Sequence, residues 1–231
     1  MIFNEKFLFL HYPKTGGMML TEQFLKKLKG QIYYTLPTGH EDPNLILTRK
    51  VRGIKILEGT RHENYAEAKA FFLQSGLPHR METFERILVI IRNPYDYLVS
   101  RFHYLKKNRQ HNNGPAARIA SEGDFRKYAL EAPRFFKVDG YLLDEEGRIP
   151  DNLFIVRYED FKTQINPLIE DYMEGFIDFE KKVNASERKN YIEYINDAEV
   201  EEAIYQKFRL LFDKGFYSRC FFPNYEMINA R

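Results

Sequence analysis

Two short stretches hold the residue types and spacings best suited to chemistry. The first is Pro13-Lys14-Thr15-Gly16-Gly17, which follows the apolar run FLFLHY and precedes an amphipathic pattern that begins Met18-Met19-Leu20. A strand-to-helix turn with two glycines can aim backbone N–H groups at an anion, and the dipole of the following helix adds positive potential. Lys14 brings a full charge to the same place, and Thr15 a hydroxyl. Taken alone, the stretch fits a tight turn with a solvated lysine equally well, because short Gly-Gly turns are common. The second stretch is RNPYDYLVS, from Arg92 to Ser100, directly after ILVII. An arginine fork and a serine hydroxyl about two helical turns further on can grip a phosphate together. Alone, Arg92 reads as a strand-end ion pair and Ser100 as a neutral helix residue. A rim shared with the lysine loop makes two anion sites the better account.

The order of residues in the first loop argues against a nucleoside triphosphate. That ligand calls for G-x-x-x-x-G-K-[ST], in which the Ser or Thr holds magnesium. Here the lysine precedes the glycines, and no hydroxyl follows a Gly-Lys pair. Nor does the chain carry a His/Cys/carboxylate cluster with metal spacing, or an obvious acidic pair for magnesium. The sequence therefore predicts a site that works without a metal.

Short apolar runs separated by helical patterns must position these residues. Strands are expected at 6–12, 53–58, 85–92 and 152–161, and helices at 18–29, 63–75, 94–107, about 124–131, 162–175 and about 197–213. Asn93-Pro94 suits a helix start, with the proline in the first turn. Residues 108–123 read as a mobile loop and DEEGRIPDN as a turn-rich connector. The run ILVII is continuous rather than alternating, as expected of a parallel strand covered on both faces. Strands alternating with helices predict one α/β domain over residues 1–231, with a mainly parallel central sheet and helices on both faces. The chemical motifs fall within 7–107, and a helical region fills about 162–231. Ligands of such sheets sit beyond the carboxyl ends of the strands, which places His11–Lys14, Glu58–His62 and Arg92–Asn93 along one rim.

Composition agrees with an ordinary globular chain. Of 231 residues, 44% are hydrophobic and 29% charged, and a net charge of +2 gives no reason to expect nucleic acid as a partner. The single cysteine, Cys220, excludes an internal disulfide and suits a reducing compartment. No run approaches a membrane span, and the start MIFNEKFLFLHY lacks the features of a signal peptide. Cytoplasm is the simplest address; a luminal catalytic fragment separated from its anchor is the competing one. No feature of the sequence indicates an oligomeric state.

PKTGG after a first strand and RNPYDYLVSRFHY after a central one together resemble the sulfotransferase family, nearest its carbohydrate, Golgi-type branch and bacterial relatives. FIVRYEDF (154–161) resembles that family's later core strand. The resemblance covers residues 7–161 and implies a P-loop-like fold and a metal-independent transfer of a sulfuryl group from 3′-phosphoadenosine 5′-phosphosulfate (PAPS) to a hydroxyl of a carbohydrate or other small molecule. It implies that Lys14 contacts the 5′-phosphosulfate and stabilises charge growing on the leaving oxygen. Thr15, Gly16, Gly17, Met18 and Met19 would line the same loop, and Arg92 and Ser100 would hold the 3′-phosphate. The chain departs from the family pattern where Met18-Met19 replace hydroxyl residues and where Tyr97 replaces a frequent arginine.

The acceptor needs a base. His62, in a segment where many relatives carry a histidine after a strand, is the first candidate, because an imidazole titrates near neutrality. Glu58 and Glu63 are the runners-up. His11 is expected to pack beside the loop, His103 to be structural, and His40 and Glu41 to lie in a solvated turn. The basic stretches 26–29 and 49–52 read as solvated faces, the second within reach of an anionic acceptor. Two other functions remain open: a magnesium-dependent small-molecule kinase, and a non-catalytic relative that keeps the nucleotide pocket.

Overall fold

The computed structural model describes residues 1–40, 53–133, 136–179 and 189–219. Glu41, the basic stretch at 49–52, Cys220 and the tail beyond it lie outside the described residues. The chain divides into two compact units, Met1–Ile91 with Val138–Val183, and Arg92–Lys137 with Asn184–Arg231.

The first unit contains the sheet. Six strands, β1 (Ile2–Phe3), β2 (Phe7–Leu10), β3 (Tyr33–Leu36), β4 (Lys55–Glu58), β5 (Arg86–Ile91) and β6 (Leu153–Arg157), pair in the order β4-β3-β1-β2-β5-β6. The pairs β2–β5, β5–β6 and β3–β4 are parallel, while β1 is antiparallel to both its neighbours. Five strands thus run one way and a two-residue strand runs against them. The expectation of a mainly parallel sheet holds, and the sheet is a mixed one.

Side-chain alternation explains how the sheet is covered. Phe7 and Phe9 of β2, Leu88 and Ile90 of β5 and Val156 of β6 share one core with Leu20 and Phe24 of helix α1 (Gly17–Lys27). Ile165 and Ile169 of a later helix, Phe161–Ile169, complete that layer. Phe3 points to the opposite face, where its ring meets Phe72 edge-on at 5.0 Å. Phe72 lies on helix α2 (Tyr65–Gln74), so helices cover both faces. Cover on both faces is why β2 and residues Ile87–Ile91 of β5 are uniformly apolar.

The second unit is built from helices α3 (Pro94–Lys107), α4 (Pro115–Ser121) and α5 (Phe125–Glu131), with two more at Ala198–Lys207 and Arg209–Asp213. Asn93 starts α3: its side chain accepts from the Tyr95 and Asp96 amides, with Pro94 following. Phe102 packs edge-on against Phe125 at 5.5 Å, and Tyr97 against Phe208 at 5.4 Å.

Several boundaries differ from the sequence reading. Residues 108–123 are not a mobile loop; they contain a 3-10 turn, Arg109–His111, and the helix α4. Pro115 takes the first helical position there, so the Gly-Pro pair that reads as a breaker is a start signal. The helix expected at 162–175 ends at Ile169 and passes into a 3-10 turn, Glu170–Tyr172. The strands β1 and β3 and the short helix α6 (Asp139–Leu142) are additions to the expected elements. No described helix is long and apolar enough to cross a membrane.

A buried charge ties the second unit together. Glu201, with no exposed surface, accepts from Tyr95 Oη at 2.6 Å and from Arg219 Nε at 3.0 Å. Arg219 also reaches Glu202 at 2.8 Å. Removing the cation leaves a desolvated carboxylate, so Arg219→Ala is expected to cost about 3 kcal/mol in urea unfolding. Replacing Glu201 and Arg219 together by leucine should recover part of that loss; an unchanged urea midpoint for Arg219→Ala would refute the pairing as a stabilising contact.

Candidate functional site

The loop after β2 is a strained turn braced from within. Lys14 has φ 67° and Gly16 φ 78°, both left-handed. For Lys14 that conformation costs on the order of 1 kcal/mol, held in place by its surroundings. Thr15 is fully buried and its Oγ1 donates to Tyr12 O at 2.6 Å, so its hydroxyl proton closes the turn. Gly16 is the cap residue of α1 and supplies no side-chain acceptor. Met19 N donates to Gly16 O at 3.1 Å, which leaves the Gly17 and Met18 amides at the open end of α1, and no acidic residue stands in the first turn. Such an end favours an anion.

Both glycines are required by close approach. A Cβ on Gly17 would lie 1.9 Å from His11 Nε2, and one on Gly16 would lie 2.9 Å from Tyr158 Cε2. The glycines therefore let this loop, a backbone cradle, close onto the His11 and Tyr158 rings. Of the two methionines, Met18 is 42% exposed, whereas Met19 is buried in the core under the sheet. The Met19 side chain is thus part of the core, and its amide donates to Gly16 O.

A second loop, from β4 to α2, carries the base candidates. Gly59 N donates to Leu36 O at 2.8 Å and Thr60 N to Glu63 Oε1 at 2.7 Å. Glu63 Oε2 accepts from the Met1 ammonium at 2.7 Å and from Thr35 Oγ1 at 2.9 Å. Burial pushes the Glu63 carboxyl up, but the ammonium and these hydrogen bonds outweigh it and hold the carboxyl below its usual value. With both oxygens engaged, Glu63 braces the loop. Glu58 is exposed and accepts from Thr38 Oγ1.

His62 is fixed at three points. Its amide donates to Thr60 Oγ1 at 3.2 Å, its carbonyl accepts from Tyr141 Oη at 2.6 Å, and its Nδ1 lies 3.0 Å from His11 O. A carbonyl can only accept, so Nδ1 carries the proton and Nε2 keeps the lone pair, the form a general base needs. Burial lowers the His62 pKa, partly opposed by the bond to His11 O and reinforced by the Met1 ammonium and Arg61. His11, whose ring centroid is 4.5 Å from that of His62, is driven well below its ordinary value by burial and stays neutral. It packs beside the loop, as the sequence suggests.

The other stretch expected to bind an anion begins the second unit. Arg92 Nε donates to Asp96 Oδ2 at 2.6 Å, and Nη1 reaches Ser100 Oγ at 3.4 Å. Arg92 and Ser100 are thus brought together, with Asp96 setting the direction of the fork. Asp96 escapes the sequence reading although its i,i+4 spacing from Arg92 signals the pair. Arg61 and Tyr141 escape it too: a left-handed arginine has no sequence signature, and Tyr141 is 79 residues from the carbonyl it bonds. His103 bonds the Tyr194 hydroxyl at 2.8 Å, in keeping with a structural role.

Comparison with known proteins follows the same direction. The family model described as "Sulfotransferase domain" matches residues 5–196. No curated protein matches the chain. Among solved structures, the chain is similar to a crystal structure of mouse sulfotransferase SULT7A1 complexed with PAP, at 22% identity and a TM-score of 0.43. That alignment covers 72% of this chain and 56% of the other, a likeness too distant to bear on function. The family match spans most of the chain, including the cradle, His62 and the Arg92–Ser100 pair, and the protein belongs to the sulfotransferase family.

Proposed function

We propose that the protein transfers a sulfuryl group from PAPS to a hydroxyl of a carbohydrate or other small metabolite. The glycine cradle after β2 holds the 5′-phosphosulfate, and Arg92 with Ser100 holds the 3′-phosphate. When PAPS is bound it supplies the activated sulfuryl group. Lys14 and the loop amides stabilise the charge that grows on the phosphate side of the breaking S–O bond. His62 Nε2 accepts the acceptor's hydroxyl proton as the new O–S bond forms.

The observation that carries this reading is the preset tautomer of His62, anchored on the same β2–α1 turn that forms the cradle. Met18 and Met19 favour a second reading, in which the chain binds the nucleotide without turnover, since side-chain hydroxyls are missing there. Calorimetric titration with adenosine 3′,5′-bisphosphate (PAP) and with ATP, each with and without magnesium, separates the alternatives. Tight PAP binding without metal supports the donor site, and magnesium-dependent ATP binding would point to a kinase. PAP binding with no sulfate transfer across a broad acceptor panel would favour the non-catalytic relative.

Lys14→Ala and Arg92→Ala are each expected to weaken PAP binding by about 10- to 100-fold, the range for losing a charge-assisted contact. Wild-type affinity in both variants would sink the assignment. For the base, the expected acidic limb of kcat lies below the ordinary imidazole value of 6.5, because burial favours the neutral ring. The free base is present at neutral pH and is lost as pH falls through that lowered pKa. His62→Ala should abolish turnover while PAP still binds; retained turnover with the same limb would move the base elsewhere.

A further inference from the structure

Arg61 sits one residue before His62 and is held in a conformation that residues with a Cβ disfavour, with φ 74°. Its surroundings enforce it. Arg61 O accepts from the Met1 ammonium at 3.0 Å, and the residues on either side are pinned by Glu63, Thr60 and Tyr141. Backbone strain fixed by many bonds gathers at functional sites.

The side chain has a destination but a poor set of partners. Nη2 donates to His40 Nε2 at 2.9 Å, Nη1 reaches Met18 Sδ at 3.6 Å, and the guanidinium lies 5.9 Å from the Tyr34 ring. A thioether is a weak acceptor, and a guanidinium has five N–H donors to satisfy. Elsewhere Arg92, Arg157 and Arg209 each hold a carboxylate. Among the described residues no carboxylate lies within ion-pair distance of Arg61. The arginine thus presents donors over Met18, the exposed residue of the cradle loop, immediately beside His62.

We propose that Arg61 reads the acceptor, binding a carboxylate or sulfate group on the molecule whose hydroxyl His62 deprotonates, so that anionic acceptors are preferred to neutral ones. This rests on the PAPS reading above. The planar fork of Arg61 matches either oxyanion bidentately. Adjacency in the chain fixes it relative to His62, so an acceptor anchored at Arg61 is held against the base. Lys14 and the loop amides already serve the donor's charge, which leaves Arg61 for the other substrate.

The test uses the full chain saturated with PAP and titrated by ligand-observed NMR with uronic-acid disaccharides, sulfated disaccharides and their neutral counterparts. Wild type is expected to prefer the anionic members by about tenfold or more. Arg61→Gln should bring them level with the neutral ones, Arg61→Lys should keep part of the preference, and PAP affinity should stay unchanged in both. Equal binding of charged and neutral members by wild type, or no binding of either, overturns the proposal, as does a preference that survives Arg61→Gln. Loss of PAP affinity in Arg61→Gln overturns it by assigning the arginine to the donor. Failure of wild type to bind PAP at all, read in the first titration, removes the PAPS reading and this inference with it. Melting curves of both variants confirm that folded protein is compared.

Discussion

The packing of His11 against Gly17 is the contact on which the candidate site depends. The imidazole occupies the space a Cβ at the helix start would need, so β2 and α1 meet at a distance only glycine allows. The same residue's carbonyl takes the Nδ1 proton of His62, tying the second loop to the first. One residue therefore sets the spacing of the β2–α1 turn and the tautomer of His62, the candidate base. Burial keeps the His11 ring neutral. A charged His11 would also add repulsion against Arg61 and the Met1 ammonium, both of which already disfavour its protonation.

The electrostatics of this edge differ from those of the chain as a whole. A net charge of +2 over 231 residues predicts little long-range attraction for anions. Near the carboxyl ends of β2 and β4, however, the turns carry Lys14 and Arg61, and the buried carboxylate of Glu63 is engaged by the Met1 ammonium and Thr35. The Gly17 and Met18 amides at the start of α1 add positive potential. Glu63 thus serves the backbone brace, an arrangement that bulk composition cannot reveal.

What could be read from the sequence followed from strong local patterns. The apolar β2, the apolar run Ile87–Ile91 of β5, the Asn93-Pro94 helix start and the glycine loop each carry their signal within a few residues, and the structure places them as expected. The two-residue β1 has too few positions to show a period, and its reversed direction comes from pairing with β2 and β3. The Pro115 helix was hidden because Gly-Pro marks loops and helix starts alike. At the site, residue types were legible but engagement was not. Glu63 stands as a runner-up base to His62 until the bonds to Met1, Thr35 and Thr60 are known, and those span from 3 to 62 residues.

The methionine pair shows how geometry divides a departure from pattern into parts of unequal weight. Adjacent residues on a helix point about 100° apart, so Met18 and Met19 cannot both face a ligand. Met19 belongs to the core layer with Leu20 and Phe24, where a hydroxyl would be poorly matched. Met18 is the exposed one, and its sulfur meets Arg61. Anion binding at a helix start relies first on backbone amides, which are the same whatever the side chain. The substitution therefore leaves the cradle's principal donors in place and exchanges a side-chain hydroxyl for a soft surface under a guanidinium. On this geometry, the methionines change what stands at the mouth of the loop more than what lies at its base.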